Sequence, residues 1–186
     1  MADAKEFFGE KAVREVQKLN PNIILNEVHK HIIRKEGYVA GEYSDVGKIA
    51  TGVGQTGKCA DLTFLDCFAQ KEDLAKQLIP VYSDLTLDLQ KAIMSGVYRG
   101  DLSGSPKTLN HINQNNWDMA AEEFLDNNEY RNPDTPKGVK IRMEEIADTF
   151  KDHGVKKRYE IKRGNPNREN FTPDQRLMYA RAIANG

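Results

Sequence analysis

Reactive and metal-binding side chains are scarce in this chain of 186 residues, which holds two cysteines, four histidines and one tryptophan. Cys59 and Cys67 stand eight apart with no third cysteine. His29, His31, His111 and His153 are not spaced to complete a tetrahedral set, so no structural metal centre is expected. Nothing points to an oxidising compartment, and the cysteines are expected as two reduced thiols. Long apolar runs are missing too. No stretch approaches the roughly 20 residues a spanning helix needs. The opening Met1-Ala2-Asp3-Ala4-Lys5-Glu6 is not followed by the apolar core of a secretory signal, so a soluble chain made in the cytoplasm is expected. An excess of one charge sign is also absent: 27 basic residues face 28 acidic ones, for a net charge of −1. That balance excludes a strongly basic nucleic-acid binder. The length fits one domain with modest extensions.

What is present is mostly helical periodicity. Phe8, Ala12, Val16 and Leu19 share one helical face up to Asn20-Pro21. A second helix is expected from Ile23 to Lys35, with Leu25, Val28, Ile32 and Ile33 inward and Gly37 as its stop. The next twenty residues differ. Gly37, Gly41, Gly47, Gly52, Gly54 and Gly57 are too dense for a helix, where each costs ~1 kcal/mol against Ala. Short strands and tight turns fit that stretch. Helical spacing then returns. Leu62, Leu65, Ala69, Leu74 and Leu78 precede Pro80, and Leu85, Leu89, Ala92 and Ile93 follow. Ser105-Pro106 reads as a helix start. Trp117, Ala120, Ala121, Phe124 and Leu125 form one stripe, and Val139, Met143, Ile146 and Phe150 another. Thr172-Pro173-Asp174-Gln175 opens a last helix. The sum is an α+β chain with one small β excursion.

That excursion holds the chemistry-bearing pattern. Glu36 ends an apolar-faced helix, Asp45 follows in the glycine-rich hairpin, and Thr51 lies six residues further on. Glycosidic cleavage needs a proton donor for the leaving oxygen and a second carboxylate across the sugar. Burial against the helix face is expected to keep Glu36 protonated near neutrality. Glycines allow a polysaccharide close to the backbone. Spacing alone is a weak signal, because 28 acidic residues produce many such pairs by accident.

Order adds weight. Lys35-Glu36-Gly37-Tyr38, Tyr43-Ser44-Asp45-Val46-Gly47 and Thr51-Gly52-Val53-Gly54-Gln55-Thr56-Gly57 are followed by Leu78-Ile79-Pro80-Val81-Tyr82-Ser83-Asp84-Leu85. Then come Gln114-Asn115-Asn116-Trp117-Asp118-Met119-Ala120-Ala121 and a helix from Gly138 to Phe150. Together these resemble the phage lysozymes of glycoside hydrolase family twenty-four over residues 23–151. The resemblance implies a lysozyme-like α+β fold, with a small β-hairpin subdomain, a larger helical lobe and a cleft between them. It implies inverting muramidase activity on peptidoglycan without metal or cofactor. Glu36 would be the acid, Asp45 and Thr51 would handle the water, and Arg142 would support the glutamate. Two departures stand. Counting from the aspartate selects Thr51 as the family's threonine, whereas counting back from Gly52 and Gly54 selects Ala50. The family's histidine after the glycines is Gln55.

Outside the match lie a helical extension at 1–22 and a basic tract with a final helix at 152–186. In the second, Lys156, Lys157, Arg158, Lys162 and Arg163 offer a contact for an anionic envelope, against the plainer reading of a solvated segment. Arg142 has its own plain reading as a salt-bridged helix face. Trp117 reads as core more readily than as a sugar platform. A monomer is expected, without nucleic acid or membrane span, acting from the host cytoplasm through holin-type release or as part of a virion. The competing readings are a non-catalytic wall-binding or virion structural protein, and a glycosidase of another substrate such as chitin.

Overall fold

The computed structural model describes residues 4–45 and 48–163, with side chains described at 9–39 and 52–157. In order, these form α1 (Ala4–Leu19), α2 (Glu27–Glu36), β1 (Val39–Asp45), β2 (Lys48–Gly52), β3 (Gln55–Thr56), α3 (Phe64–Leu78), α4 (Leu87–Arg99), α5 (Pro106–Asn113), α6 (Trp117–Leu125), α7 (Asn128–Arg131) and α8 (Lys137–Arg163). The chain is mostly helical, with one short antiparallel ladder in the order β1-β2-β3. It divides into two compact units. The first gathers the described residues up to Leu78 with Tyr82–Tyr98, and the second gathers Ile79–Val81 with those from Arg99 onward. The strands group with the helices of the first unit rather than standing apart as the expected β-hairpin subdomain.

In the first unit α2 starts later than periodicity suggested. Asn26 caps it, so Ile23 and Leu25 precede the helix, and Leu25, Val28, Ile32 and Ile33 are all buried. α1 lies along α2 through Ala12, Val13 and Val16. Gly9 permits the approach, because a Cβ there would stand 3.1 Å from the Cβ of Arg34. Arg34 Nε donates to Glu10 Oε1 at 2.6 Å across the same contact. α3 buries a different face from the one expected: Phe64, Cys67, Phe68 and Ala75 are inside, whereas Ala69 is exposed. Phe64 and Phe68, at i and i+4, put two large rings on the buried face, and the leucines stay partly buried beside it. α4 buries Leu89, Ala92, Ile93, Met94, Gly96, Val97 and Tyr98, most of its circumference, as a helix enclosed by neighbours must.

The second unit is built on α6 against α8 and α5. Trp117, Ala120, Ala121 and Phe124 meet Met143, Ile146, Ala147 and Phe150, all buried. The rings of Trp117 and Phe150 lie 5.7 Å apart. α5 begins at Pro106 as expected, although the Ser105 hydroxyl donates to the carbonyl of Asp101 instead of capping. It ends with Asn115 at φ +62°, the amides of Asn115 and Asn116 returning to the carbonyls of Ile112 and His111. α8 runs unbroken through residues 151 and 152, so the basic tract up to Arg163 continues the closing helix. The helix expected from Thr172 lies outside the described residues.

The cysteines correct the sequence reading. Cys59 and Cys67 are joined in a disulfide, with Cα atoms 5.4 Å apart and both side chains buried. A 3-10 turn at Gly57–Cys59 folds the chain back onto the start of α3, and the amide of Leu62 donates to the carbonyl of Cys59. Closing so short a loop restricts the unfolded chain by about 2–3 kcal/mol. Changing both Cys59 and Cys67 to Ser is therefore expected to lower Tm by about 5–10 °C for a chain of this size. A thermal melt of variant against wild type under non-reducing conditions checks it, and an unchanged Tm contradicts it.

Candidate active site

Glu36 is the last residue of α2 and is half-buried. The helix is fixed at both ends. At its start Asn26 Oδ1 accepts from the amide of His29 at 2.8 Å, and the amide of Asn26 donates to His29 Nδ1 at 3.1 Å. At its end Gly37 takes φ +75°, and its amide donates to the carbonyl of Ile33 at 2.8 Å. Halfway along, His31 Nε2 lies 3.0 Å from Ser95 Oγ on α4. The carboxyl group is thus carried on a backbone with little freedom, and the chain leaves directly into β1.

The turn between β2 and β3 forms the wall beside it. Gly54 has φ +62°, and a Cβ there would stand 3.2 Å from Glu36 Oε2 and 3.4 Å from Glu36 Cβ. Only glycine meets both conditions without strain. The role foreseen for the hairpin glycines was to admit a sugar chain. The role seen at Gly54 is to admit the glutamate.

The ladder orders the remaining positions. Glu42 pairs with Thr51, Tyr43 with Ala50, Ser44 with Ile49 and Asp45 with Lys48. On the other side Ala50 pairs with Thr56 and Thr51 with Gln55. Directly paired positions share a face, and successive ones alternate. Register positions 43, 45, 48, 50 and 56 therefore lie on one face, and 42, 44, 49, 51 and 55 on the other. Position 51 falls with Gln55, whose side chain is buried, and the hydroxyl-bearing positions on the face of Asp45 are Tyr43 and Thr56. The side chains of Asp45, Ala50 and Thr51 lie outside the described residues, as do Val46 and Gly47. Sequence reading passed over Thr56; only the strand register brings it forward.

Arg142 sits on α8 in the second unit, half-buried beside buried Met143. Trp117 is 2% exposed and donates from Nε1 to Asn115 Oδ1 at 2.5 Å, so it is core and offers no ring to a sugar. The neighbouring Asp118 covers α8 at Gly154, where a Cβ would lie 3.0 Å from its carboxylate. In the first unit a cavity of about 340 Å³ is lined by Val16, Leu19, Tyr38, Val39, Val53 and Phe64 among others, with no charged side chain and without Glu36. It is not the place of acid chemistry. No cluster of His, Cys, Asp and Glu of metal-binding size occurs among the described residues, and no helix there is long and apolar enough to cross a membrane.

His29 gives α2 a titrating anchor. Its ring packs 4.2 Å from Phe68, and burial lowers its pKa from the usual 6.5, with Glu72 opposing. Nδ1 accepts only when unprotonated. Above pH 6.5 both folded and unfolded chains are neutral here, and the cap has its full strength. As pH falls through 6.5 the unfolded chain takes up a proton first, and stability is lost until the folded value is passed. His29→Gln keeps a capping-box acceptor at the same position without titrating. Its Tm is expected to gain on wild type as pH drops from about 7.5 to about 5.5. Parallel curves would exclude this role.

Compared with models of protein families and with curated proteins, the chain matches none.

Proposed function

We propose that the chain is a peptidoglycan hydrolase, a muramidase that cleaves the β-1,4 bond between N-acetylmuramic acid and N-acetylglucosamine with inversion. The carrying observation is Glu36, a carboxyl group at a capped helix end, beside a positive-φ glycine turn where a Cβ at residue 54 would crowd the carboxylate at 3.2 Å. In this reading Glu36 protonates the leaving oxygen while Asp45 takes a proton from water on the other face of the sugar. A hydroxyl steadies that water. Sequence spacing favours Thr51 for this; Thr56 is the alternative we add, because its register position shares the face of Asp45, as that of Tyr43 does. Arg142 supports the glutamate by charge once its proton has left. The lysozyme-like arrangement, with a β region and a helical lobe flanking a cleft, belongs to the same proposal. So does a monomer acting from the host cytoplasm, by holin-type release at the end of infection or within a virion. The basic residues Lys156, Lys157, Arg158, Lys162 and Arg163 extend α8 and would favour an anionic envelope.

A non-catalytic wall-binding or virion structural protein is the second reading. It draws on Ala50, which counting back from Gly52 and Gly54 puts at the family's threonine position and which pairs with Tyr43 in the ladder. One experiment separates the two. Purified protein is added to outer-membrane-permeabilised cells, turbidity is followed, and the first product anomer is read by NMR. Wild type should clear the cells and release the α anomer. Glu36→Gln keeps the shape without the transferable proton and should be slower by at least about a hundredfold. Thr56→Val should slow turnover more than Thr51→Val. Pelleting with cell walls without clearing them would leave the binding protein. A β product would replace inversion by double displacement.

A further inference from the structure

Behind the turn that faces Glu36 stands a buried polar network built from residues far apart in the chain. Gln55 is 4% exposed, and both ends of its amide are used. Oε1 accepts from the amide of Val53 at 3.1 Å, and Nε2 donates to the carbonyl of Leu62 at 2.6 Å. The hydroxyl of Tyr98, on α4, donates to the carbonyl of Val53 at 2.8 Å. Val53 is itself 1% exposed, so its amide and carbonyl are both held by buried side chains. The next residue is Gly54, which bounds the Glu36 carboxylate.

Buried polar groups contribute little net stability over apolar ones of the same shape, while leaving one partner unsatisfied is costly. A network of this kind fixes geometry, and the geometry fixed here is the wall of the glutamate. We infer that Gln55 and Tyr98 are positioning residues for the Glu36 carboxyl group, acting through the Val53-Gly54 backbone without touching substrate. The inference rests on the reading of Glu36 as the acid. The contact of Leu62 with Gln55 brings in the loop closed by Cys59 and Cys67, which joins the turn to α3. Displacing a reacting group by even 1 Å costs up to about a hundredfold in rate, so a small relaxation of the turn is enough to be measured.

The test uses the full chain with Tyr98→Phe, which removes one hydroxyl, and Gln55→Met, which keeps length and removes both hydrogen bonds. Three quantities are measured: kcat and KM on soluble peptidoglycan fragments, Tm, and the titration of the Glu36 carboxyl carbon by NMR. In each variant kcat is expected to fall by about tenfold or more, with KM within about twofold. The Glu36 titration midpoint should move away from its wild-type value. If both variants lose only Tm, and turnover and the Glu36 titration stay as in wild type, the network is packing and the positioning role is wrong. If Gln55→Met does not fold, Tyr98→Phe decides alone. A wild type that hydrolyses nothing overturns the acid reading of Glu36. The NMR titration then still decides whether Gln55 and Tyr98 hold that carboxylate.

Discussion

The geometry around Glu36 depends on the absence of a side chain at residue 54. A Cβ at residue 54 would stand 3.2 Å from the Glu36 carboxylate, tighter than ordinary contact, and φ at Gly54 is positive, so two separate conditions favour glycine there. The constraint acts on both partners. A side chain at residue 54 would crowd the glutamate, and glycine leaves that space open. Opposite anchors hold the two in place: the capped end of α2 on one side, and Gln55 with Tyr98 on the other.

The second unit answers a different need. Its most distinctive residues are absorbed in packing: Trp117 against Phe150 and His153, Asp118 over Gly154, and Asn115 in the left-handed turn that lets α5 end and α6 begin. The Trp-Asp pair looks like a motif because each member has one neighbour it alone fits. A tryptophan with its nitrogen satisfied by Asn115 fills the space between α6 and α8, and the short aspartate passes where helices come close at a glycine. Fitness for packing and conspicuousness in sequence coincide here, and no chemistry needs to be invoked.

Helix α2 was legible from four apolar residues and a stopping glycine, because a 3.6-residue period and a left-handed stop are local properties. Its start was misjudged, since Asn26 and His29 cap each other through side chains that a hydropathy pattern does not see. The face of α3 was misjudged because leucine spacing was followed and the i, i+4 pair Phe64 and Phe68, which lies on the buried face with Cys67, was not. The disulfide was missed by arguing from compartment rather than from the turn at Gly57–Cys59 that brings the cysteines together. The choice between Ala50 and Thr51 could not be made by counting, since one missing residue fits on either side. The strand ladder supplies what counting does not, the face each position takes, because parity along a strand fixes the face. The link from Tyr98 to Val53 spans 45 positions and leaves no trace in local sequence.

The two anchors of α2 and its neighbouring turn differ in one chemical respect. His29, at the far end of the helix, loses its acceptor on protonation, so the start of α2 is sensitive to pH in the range where imidazole titrates. Gln55, at the glutamate end, donates from one atom and accepts at another regardless of pH. An imidazole in its place would hold the Val53 amide only while neutral. It would release the turn on acidification, where a carboxylic acid is most fully charged with its proton. An uncharged amide removes that conflict. The turn beside the carboxyl group then keeps its hydrogen bonds through the range in which imidazole titrates, and the pH sensitivity of His29 bears on the helix start, some two and a half turns away along α2.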